Sequence, residues 1–274
     1  MGTTPQNKYR LGFIGAGKLA GSVIRGLVRA KFCPPVEIIA SEPFAETRDK
    51  LQRETGISVT TENAEIVEKA ETILLGVKPG MVANVVGEIA AQLEDRLVIS
   101  LAAGVDVRSM EAKANARFMR AMTNTPSAIC RAVTAIARGA RTTDEDMKIA
   151  HNIFASIGVV AEVREDQIDA VTALGGSGPA FVYRVIEALA DGGVKCGLPV
   201  EISLQFAAQM VLGAAQLTLE SKLSPNELVK MVVTPGGTTA AGLAVMEKAE
   251  TAGSLTAAVE AAAKRGREMA QENL

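Results

Sequence analysis

Apolar residues run through the first half of the chain in short bursts separated by amphipathic stretches. Leu11, Phe13 and Ile14 mark a strand over Arg10–Ile14, and a helical pattern follows from Gly17 to about Lys31. Val36–Ala40 reads as a second strand, Thr47–Thr55 and Thr61–Ala70 as helices, and Thr72–Val77 as a third strand. Met81–Leu93 is helical in pattern, Leu97–Ser100 is a fourth strand, and Arg117–Met122 and Val133–Arg138 add two more. Strands alternating with helices predict a parallel sheet covered on both faces. Thr142 and Glu145 stand at capping-box spacing before Met147, Ile149, Ile153 and Phe154. They predict a helix ended by Gly158, with Val159–Val163 as a last strand.

After about Arg164 the pattern changes. Strand-like bursts vanish, and alanine-rich helical segments fill the rest: Pro179–Asp191, stopped at Gly192-Gly193, then Val200–Leu219, Pro225–Met231, Thr239–Ala249 and Ser254–Glu272. The expected division is therefore an α/β domain over residues 9–164 and an all-α domain over 165–274. The segment Leu204–Leu219 is apolar around most of its circumference. Ala207, Ala208, Gly213, Ala214 and Ala215 would let another helix approach closely. So much apolar surface in about 110 residues favours a homo-oligomer.

Composition narrows the setting. The 274 residues are 48% hydrophobic and 22% charged with a net charge of −2, enough for a packed core and no attraction to nucleic acid or a membrane surface. Three scattered cysteines and the single His151 exclude a disulfide framework and a His- or Cys-rich metal site, so no metal is expected. No uninterrupted 18-residue apolar run appears, and the opening MGTTPQNKYR lacks the apolar stretch of a leader. The expected location is the cytoplasm.

Gly15-Ala16-Gly17-Lys18-Leu19-Ala20 fits G-x-G-x-x-A between the first strand and the first helix, the context that makes this pattern a dinucleotide loop. Gly15 permits the tight turn, Gly17 lets backbone approach a pyrophosphate, and Ala20 keeps the helix close to the sheet. The second strand ends in Ala40-Ser41-Glu42-Pro43. Glu42 stands where an acid would accept from the ribose 2′-hydroxyl of NAD; Ser41, Arg48 or Lys50 could instead serve a 2′-phosphate, so the choice stays open. Val77-Lys78-Pro79 and Ala102-Ala103-Gly104 close the third and fourth strands at the same ligand-binding edge. In the second half, Ser177 can cap a helix after Gly175-Gly176, and Thr234-Pro235-Gly236-Gly237-Thr238-Thr239 offers glycines, hydroxyls and a helix start that could cradle a carboxylate. Neither G-x-S-x-G, H-E-x-x-H nor G-K-[ST] occurs. Hydride transfer with one proton suits that inventory.

These motifs together resemble pyrroline-5-carboxylate reductase over about Leu11 to Met269. The resemblance is carried by the glycine loop, Val77-Lys78-Pro79, Ala102-Ala103-Gly104, Met122-Thr123-Asn124-Thr125-Pro126, Ile168-Asp169-Ala170-Val171-Thr172 through Gly176-Ser177-Gly178-Pro179-Ala180, Glu187 to Val194, and above all Thr234–Thr239 with Gly242-Leu243 and Met246-Glu247. It implies a Rossmann-type N-terminal domain and a helical C-terminal dimerisation domain that interlocks with a second copy near the substrate, with rings of dimers in some members. The implied reaction is reduction of L-1-pyrroline-5-carboxylate to L-proline, usually by NADPH, with NADH admitted by Glu42. By resemblance, Thr239 bonds the ring nitrogen, and Thr234, Gly236, Gly237 and Thr238 cradle the carboxylate. Glu165 lines the substrate pocket, and Ile14, Gly15, Ala16, Gly17, Lys18, Leu19, Ser41, Glu42, Asn63, Val77, Lys78, Pro79 and Ala103 are the implied cofactor positions. The competing readings are another imine or 2-hydroxy-acid reductase of similar build, with Lys195 or Lys222 as proton donor, and a dinucleotide-binding regulator without turnover.

Overall fold

Eight strands join into one sheet in the computed structural model, whose described residues are 8–272. The opening segment 1–7, read above as lacking a leader, lies outside them. The strands are β1 (Tyr9–Ile14), β2 (Ile38–Ser41), β3 (Ser58–Thr60), β4 (Ala70–Leu75), β5 (Leu97–Ser100), β6 (Arg117–Met122), β7 (Ala132–Arg138) and β8 (Gly158–Glu162), in the order β3-β2-β1-β4-β5-β6-β7-β8. The first six follow the doubly wound nucleotide-binding order. All pairs are parallel except β6–β7, which is antiparallel because the short turn Thr125–Ile129, rather than a full crossover helix, joins them.

Helices α1 (Lys18–Arg29), α2 (Ala45–Thr55), α3 (Asn63–Lys69), α4 (Val82–Glu88), α5 (Val107–Glu111), α6 (Asp144–Ala155) and the single turn α7 (Ile168–Val171) accompany the sheet. The alternation along the strands decides their sides. Leu11, Phe13, Leu74, Ile99 and Met119 pack with Val23, Ile24 and Leu27 of α1 and Ile153 and Phe154 of α6. Ile14, Ile73, Leu75, Val98 and Phe118 pack on the other side with Ile66 and Val67 of α3, Val85 and Val86 of α4 and Met110 of α5. Each fully buried side chain of this kind contributes about 1.5–3 kcal/mol.

Local corrections to the sequence pattern have physical causes. The capping box of α6 is Thr143 with Asp146, one residue beyond the expected pair. Thr142 is taken up elsewhere: its hydroxyl accepts from Gly139 N–H and donates to Phe118 C=O, both at 2.9 Å. Burial pushes the Asp146 carboxyl up, but hydrogen bonds from Arg117 and Thr143 outweigh it and hold it below its usual range. Gly158 is not a helix cap, since α6 ends at Ala155. It opens β8, where a Cβ would collide with the backbone of Ala132. The strand β3 and helix α5 were not foreseen, and α4 is shorter than its apolar pattern, giving way to a 3-10 turn at Ala90–Gln92.

Contacts group the chain into two compact units: residues through Gly176 together with those from Ala262, and Ser177–Ala261. The second unit is helical, with α8 (Gly178–Lys195), α9 (Val200–Glu220), α10 (Pro225–Val232), α11 (Thr238–Lys248) and the first part of α12 (Thr251–Glu272). Gly192-Gly193 does not stop α8, which continues to Lys195. Gly193 instead faces Ser203 of α9, with no room for a Cβ, and the Ser203 hydroxyl donates to Ala190 C=O at 2.5 Å. Ser177 takes the N-cap position of α8 without a side-chain cap bond. In α9 only Ser203 and Ala207 are buried. Phe206, Met210 and Leu217 lie exposed on one side, and Leu204, Leu212 and Leu219 on another. By length and composition α9 is apolar enough to cross a membrane, with a mean hydropathy of 1.3, although Gln205, Gln209 and Gln216 interrupt any continuous apolar run.

Candidate functional site

Three loops at the carboxyl edge of the sheet form the candidate cofactor site. Gly15 has a φ of +85° and donates to Ser41 C=O at 3.0 Å, tying the loop after β1 to the end of β2. Gly76, after β4, donates to Ile14 C=O at 2.8 Å, and a Cβ on it would stand 2.6 Å from Ala20 Cβ. Ala20 is fully buried, so α1 and the β4 loop meet through two small residues, as the glycine pattern requires. Val77 packs on Gly15, Lys78 is exposed at the start of the 3-10 turn Pro79–Met81, and Ala103 is exposed after β5.

Gly17 behaves differently from its neighbours. It is the N-cap of α1 with φ −62° and ψ −166°, and no protein atom lies within 4 Å of a Cβ placed there. No side chain caps α1, so the first amides of the helix point outward unpaired by a cap. The loop opens onto a cavity of about 690 Å³ lined in part by Ala16, Gly17, Lys18, Lys50 and Thr125. An open space beside a glycine and an uncapped helix start fit a dinucleotide pyrophosphate.

Glu42 is folded into this loop. It is 6% exposed, and its carboxylate accepts from Ala16 N–H at 3.1 Å and Phe44 N–H at 3.2 Å. Arg48 donates to Glu42 C=O at 2.8 Å and so points its charge at backbone. The Ser41 hydroxyl is buried. Its one proton goes to the nearer acceptor, Asn63 Oδ1 at 2.7 Å, rather than Phe13 C=O at 3.4 Å. Ser41, Glu42 and Asn63 are thus gathered around the glycine loop.

Glu165 lies in the same unit, in the 3-10 turn Glu165–Gln167. Its Oε1 accepts from Val107 N–H at 2.7 Å and stands 3.6 Å from Arg120 Nη1. Arg120 was missed in the sequence; an arginine at a buried position of a strand was the available signal. Asn124, quoted above within Met122–Pro126, is 6% exposed. It donates to Gly175 C=O at 2.8 Å and accepts from Val133 N–H at 3.2 Å, so it ties the end of β6 to the π-helical turn Thr172–Gly176.

The threonine loop belongs to the other unit. Gly237 donates to Thr234 C=O at 2.9 Å, closing a turn in which Gly236 has φ +69°. A Cβ on Gly237 would collide with the Thr234 hydroxyl. Gly237 is also the N-cap of α11, with no side-chain cap, so the turn delivers Thr238 and Thr239 to an uncapped helix start. Thr234, Gly236 and Thr238 are exposed and Thr239 is half-buried. Backbone donors, a helix start and three hydroxyls at one place suit a small carboxylate beside a hydrogen-bonding heteroatom.

Comparison with known proteins places both parts of the chain in described families. Residues 165–269 match the family model described as pyrroline-5-carboxylate reductase dimerisation, and residues 10–104 match that described as NADP oxidoreductase, coenzyme F420-dependent. A pyrroline-5-carboxylate reductase of Glycine max is 42% identical over 267 residues, spanning 97% of each chain. One from Methanosarcina acetivorans is 39% identical over 266 residues, covering 96% of this chain and 98% of its own. The solved structure of a Plasmodium falciparum pyrroline carboxylate reductase with NADP bound matches with a TM-score of 0.89 at 28% identity, covering 97% of this chain and 99% of that one.

Proposed function

This chain belongs to the pyrroline-5-carboxylate reductase family, a nicotinamide-dependent reductase of proline synthesis, and on that premise we propose how its own residues carry the reaction. The substrate is L-1-pyrroline-5-carboxylate and the product L-proline. The observation that carries the assignment is the turn Thr234–Thr239 at the uncapped start of α11. A nicotinamide held at the glycine loop would supply the hydride for the imine carbon. Gly237 closes the turn, and the amide of Thr238 at the uncapped start of α11 holds the ring carboxylate, with the Thr234 and Thr238 hydroxyls beside it. Thr239 holds the ring nitrogen through its hydroxyl and relays to it a proton taken up from solvent, its own hydroxyl being restored in the same exchange, because an iminium accepts hydride far better than a neutral imine. Glu165 adds a negative charge to the substrate's surroundings. Most of the acceleration comes from positioning and from charge fixed in advance.

Thr239→Ala keeps the fold and lowers kcat/KM for pyrroline-5-carboxylate 5- to 150-fold, about 1–3 kcal/mol, the scale of one hydrogen bond to a charged group. Steady-state kinetics check this, and an unchanged kcat/KM removes Thr239 from the mechanism.

NADH is the favoured reductant and NADPH the poorer one. Support comes from Glu42, whose buried carboxylate sits at the glycine loop where ribose hydroxyls would lie, while Ser41 and Arg48 are engaged elsewhere. A 2′-phosphate would bring further negative charge within a few ångströms of that carboxylate, where each pair of unit charges costs about 3–4 kcal/mol before screening by nearby cations. Glu42→Gln keeps an oxygen for the Ala16 amide and removes the charge. The expected result is that the ratio of kcat/KM with NADH to that with NADPH falls at least about tenfold. A ratio equal to wild type would show that Glu42 does not select the cofactor.

The functional unit is a homodimer in the cytoplasm, formed through the apolar helices of the second unit. The exposed faces of α9 and the three free cysteines, Cys33, Cys130 and Cys196, support this reading. Dimers can assemble further into a ring.

A further inference from the structure

Arg120 is a buried cation that the reaction above does not use. It lies on β6 between Met119 and Ala121, is 5% exposed, and its Nη2 has no hydrogen-bond partner. A position whose only task was packing would be filled at lower cost by methionine or leucine, because a buried guanidinium with an unmade hydrogen bond is strongly disfavoured. Among the described residues its charge is paired with Glu165, at 3.6 Å. That contact converges on the same oxygen, Oε1, that accepts from Val107 N–H at 2.7 Å, so β6 and the start of α5 hold the carboxylate from two directions. Register places this pair at the edge where the cofactor loops end. Arg120 stands opposite Ser100, the last residue of β5, directly before the loop that carries Ala103.

We propose that Arg120 is a positioning residue for the reductase reaction. It fixes the Glu165 carboxylate in one orientation at the carboxyl edge of the sheet, so that this negative charge is already ordered when substrate binds. A freely rotating glutamate on an exposed turn would have to be ordered in each catalytic cycle; one already clamped by a guanidinium and an amide does not. The proposal rests on the reading that the chain reduces pyrroline-5-carboxylate with Glu165 in the substrate pocket. It adds to the set that determines the rate a residue outside the glycine and threonine loops.

The test is steady-state kinetics on the full-length protein with pyrroline-5-carboxylate and saturating NADH, comparing wild type, Arg120→Met, Arg120→Lys, Glu165→Gln and the double variant Arg120→Met/Glu165→Gln. Arg120→Met is expected to lower kcat by about 10- to 100-fold while KM for NADH stays within about twofold. Arg120→Lys should recover a large part of the loss, and the double variant should be no slower than the slower single variant. Thermal unfolding of each variant separates this from loss of fold; if Arg120→Met does not fold, Arg120→Gln carries the same comparison. A folded Arg120 variant with wild-type kcat overturns the proposal. So does a double variant whose loss equals the product of the two single losses, or a lysine variant no better than methionine. Absence of turnover by folded wild-type protein would instead overturn the functional reading on which the proposal stands.

Discussion

Gly17→Val abolishes tight binding of the nicotinamide cofactor and lowers the stability of the protein by no more than about 1 kcal/mol, the loss of glycine as an N-cap. The two halves of that result come from one geometric fact. Gly17 has ordinary extended dihedrals, φ −62° and ψ −166°, and a Cβ there meets no protein atom within 4 Å. The protein itself therefore has little need of glycine at this position; the ligand does, because backbone without a side chain must come into contact with the pyrophosphate at the start of α1. Two methyl groups in that space displace the phosphates from the α1 amides. Affinity for NADH falls at least 100-fold, about 2.7 kcal/mol. Gly15 makes the contrast: with φ +85° and a Cβ contact of 3.0 Å to the backbone of Gly76 and Val77, it is required by the fold as well. Calorimetric titration with NADH and thermal unfolding of Gly17→Val together check the claim. Wild-type affinity would remove the loop from cofactor binding, and a large fall in Tm would mean that the space is not open.

Phe206→Glu on α9 dissociates the protein into monomers and removes turnover. Phe206 is 61% exposed within the chain, and α9 has just two buried residues along its length. A helix so apolar and so little covered needs a partner surface, and the family model that matches this region is one of dimerisation. In a twofold-symmetric interface each substitution occurs twice. Burying two unpaired carboxylates costs several kcal/mol each, so the dissociation constant rises by at least about 10³-fold. Sedimentation shows the change in mass, and kinetics at equal protein concentration show the loss of rate. A dimer of wild-type stability in Phe206→Glu would place the interface elsewhere.

What the sequence disclosed and what it hid differ in range. The strands of the first unit were legible because buried parallel strands are short apolar bursts: Leu11, Phe13 and Ile14, or Leu97–Ser100, are too short for a helix and alternate with helical stretches. β3 was not, because Ser58–Thr60 is a half-buried edge strand of three residues with little apolar signal. The capping box slipped by one residue because both Thr142 and Thr143 have an acid three residues on, Glu145 and Asp146. Arg117, 29 residues from Asp146, settles the choice, and no local pattern contains it. Gly192-Gly193 carried the signal of a helix end, yet its meaning is the close crossing of Ser203 from α9. The site divides in the same way. The glycine loop and the threonine turn are contiguous motifs whose chemistry is local. The bond between Glu42 and the Ala16 amide, and the approach of Arg120 to Glu165, join distant segments and become visible only in the folded chain.

Initial rates of NADH and NADPH oxidation with L-1-pyrroline-5-carboxylate, on purified, folded protein, decide whether the chain is this reductase. Imine-dependent oxidation of both is expected, with L-proline formed in equal amount to the reductant consumed and a higher kcat/KM with NADH. No imine-dependent oxidation with either cofactor would contradict it.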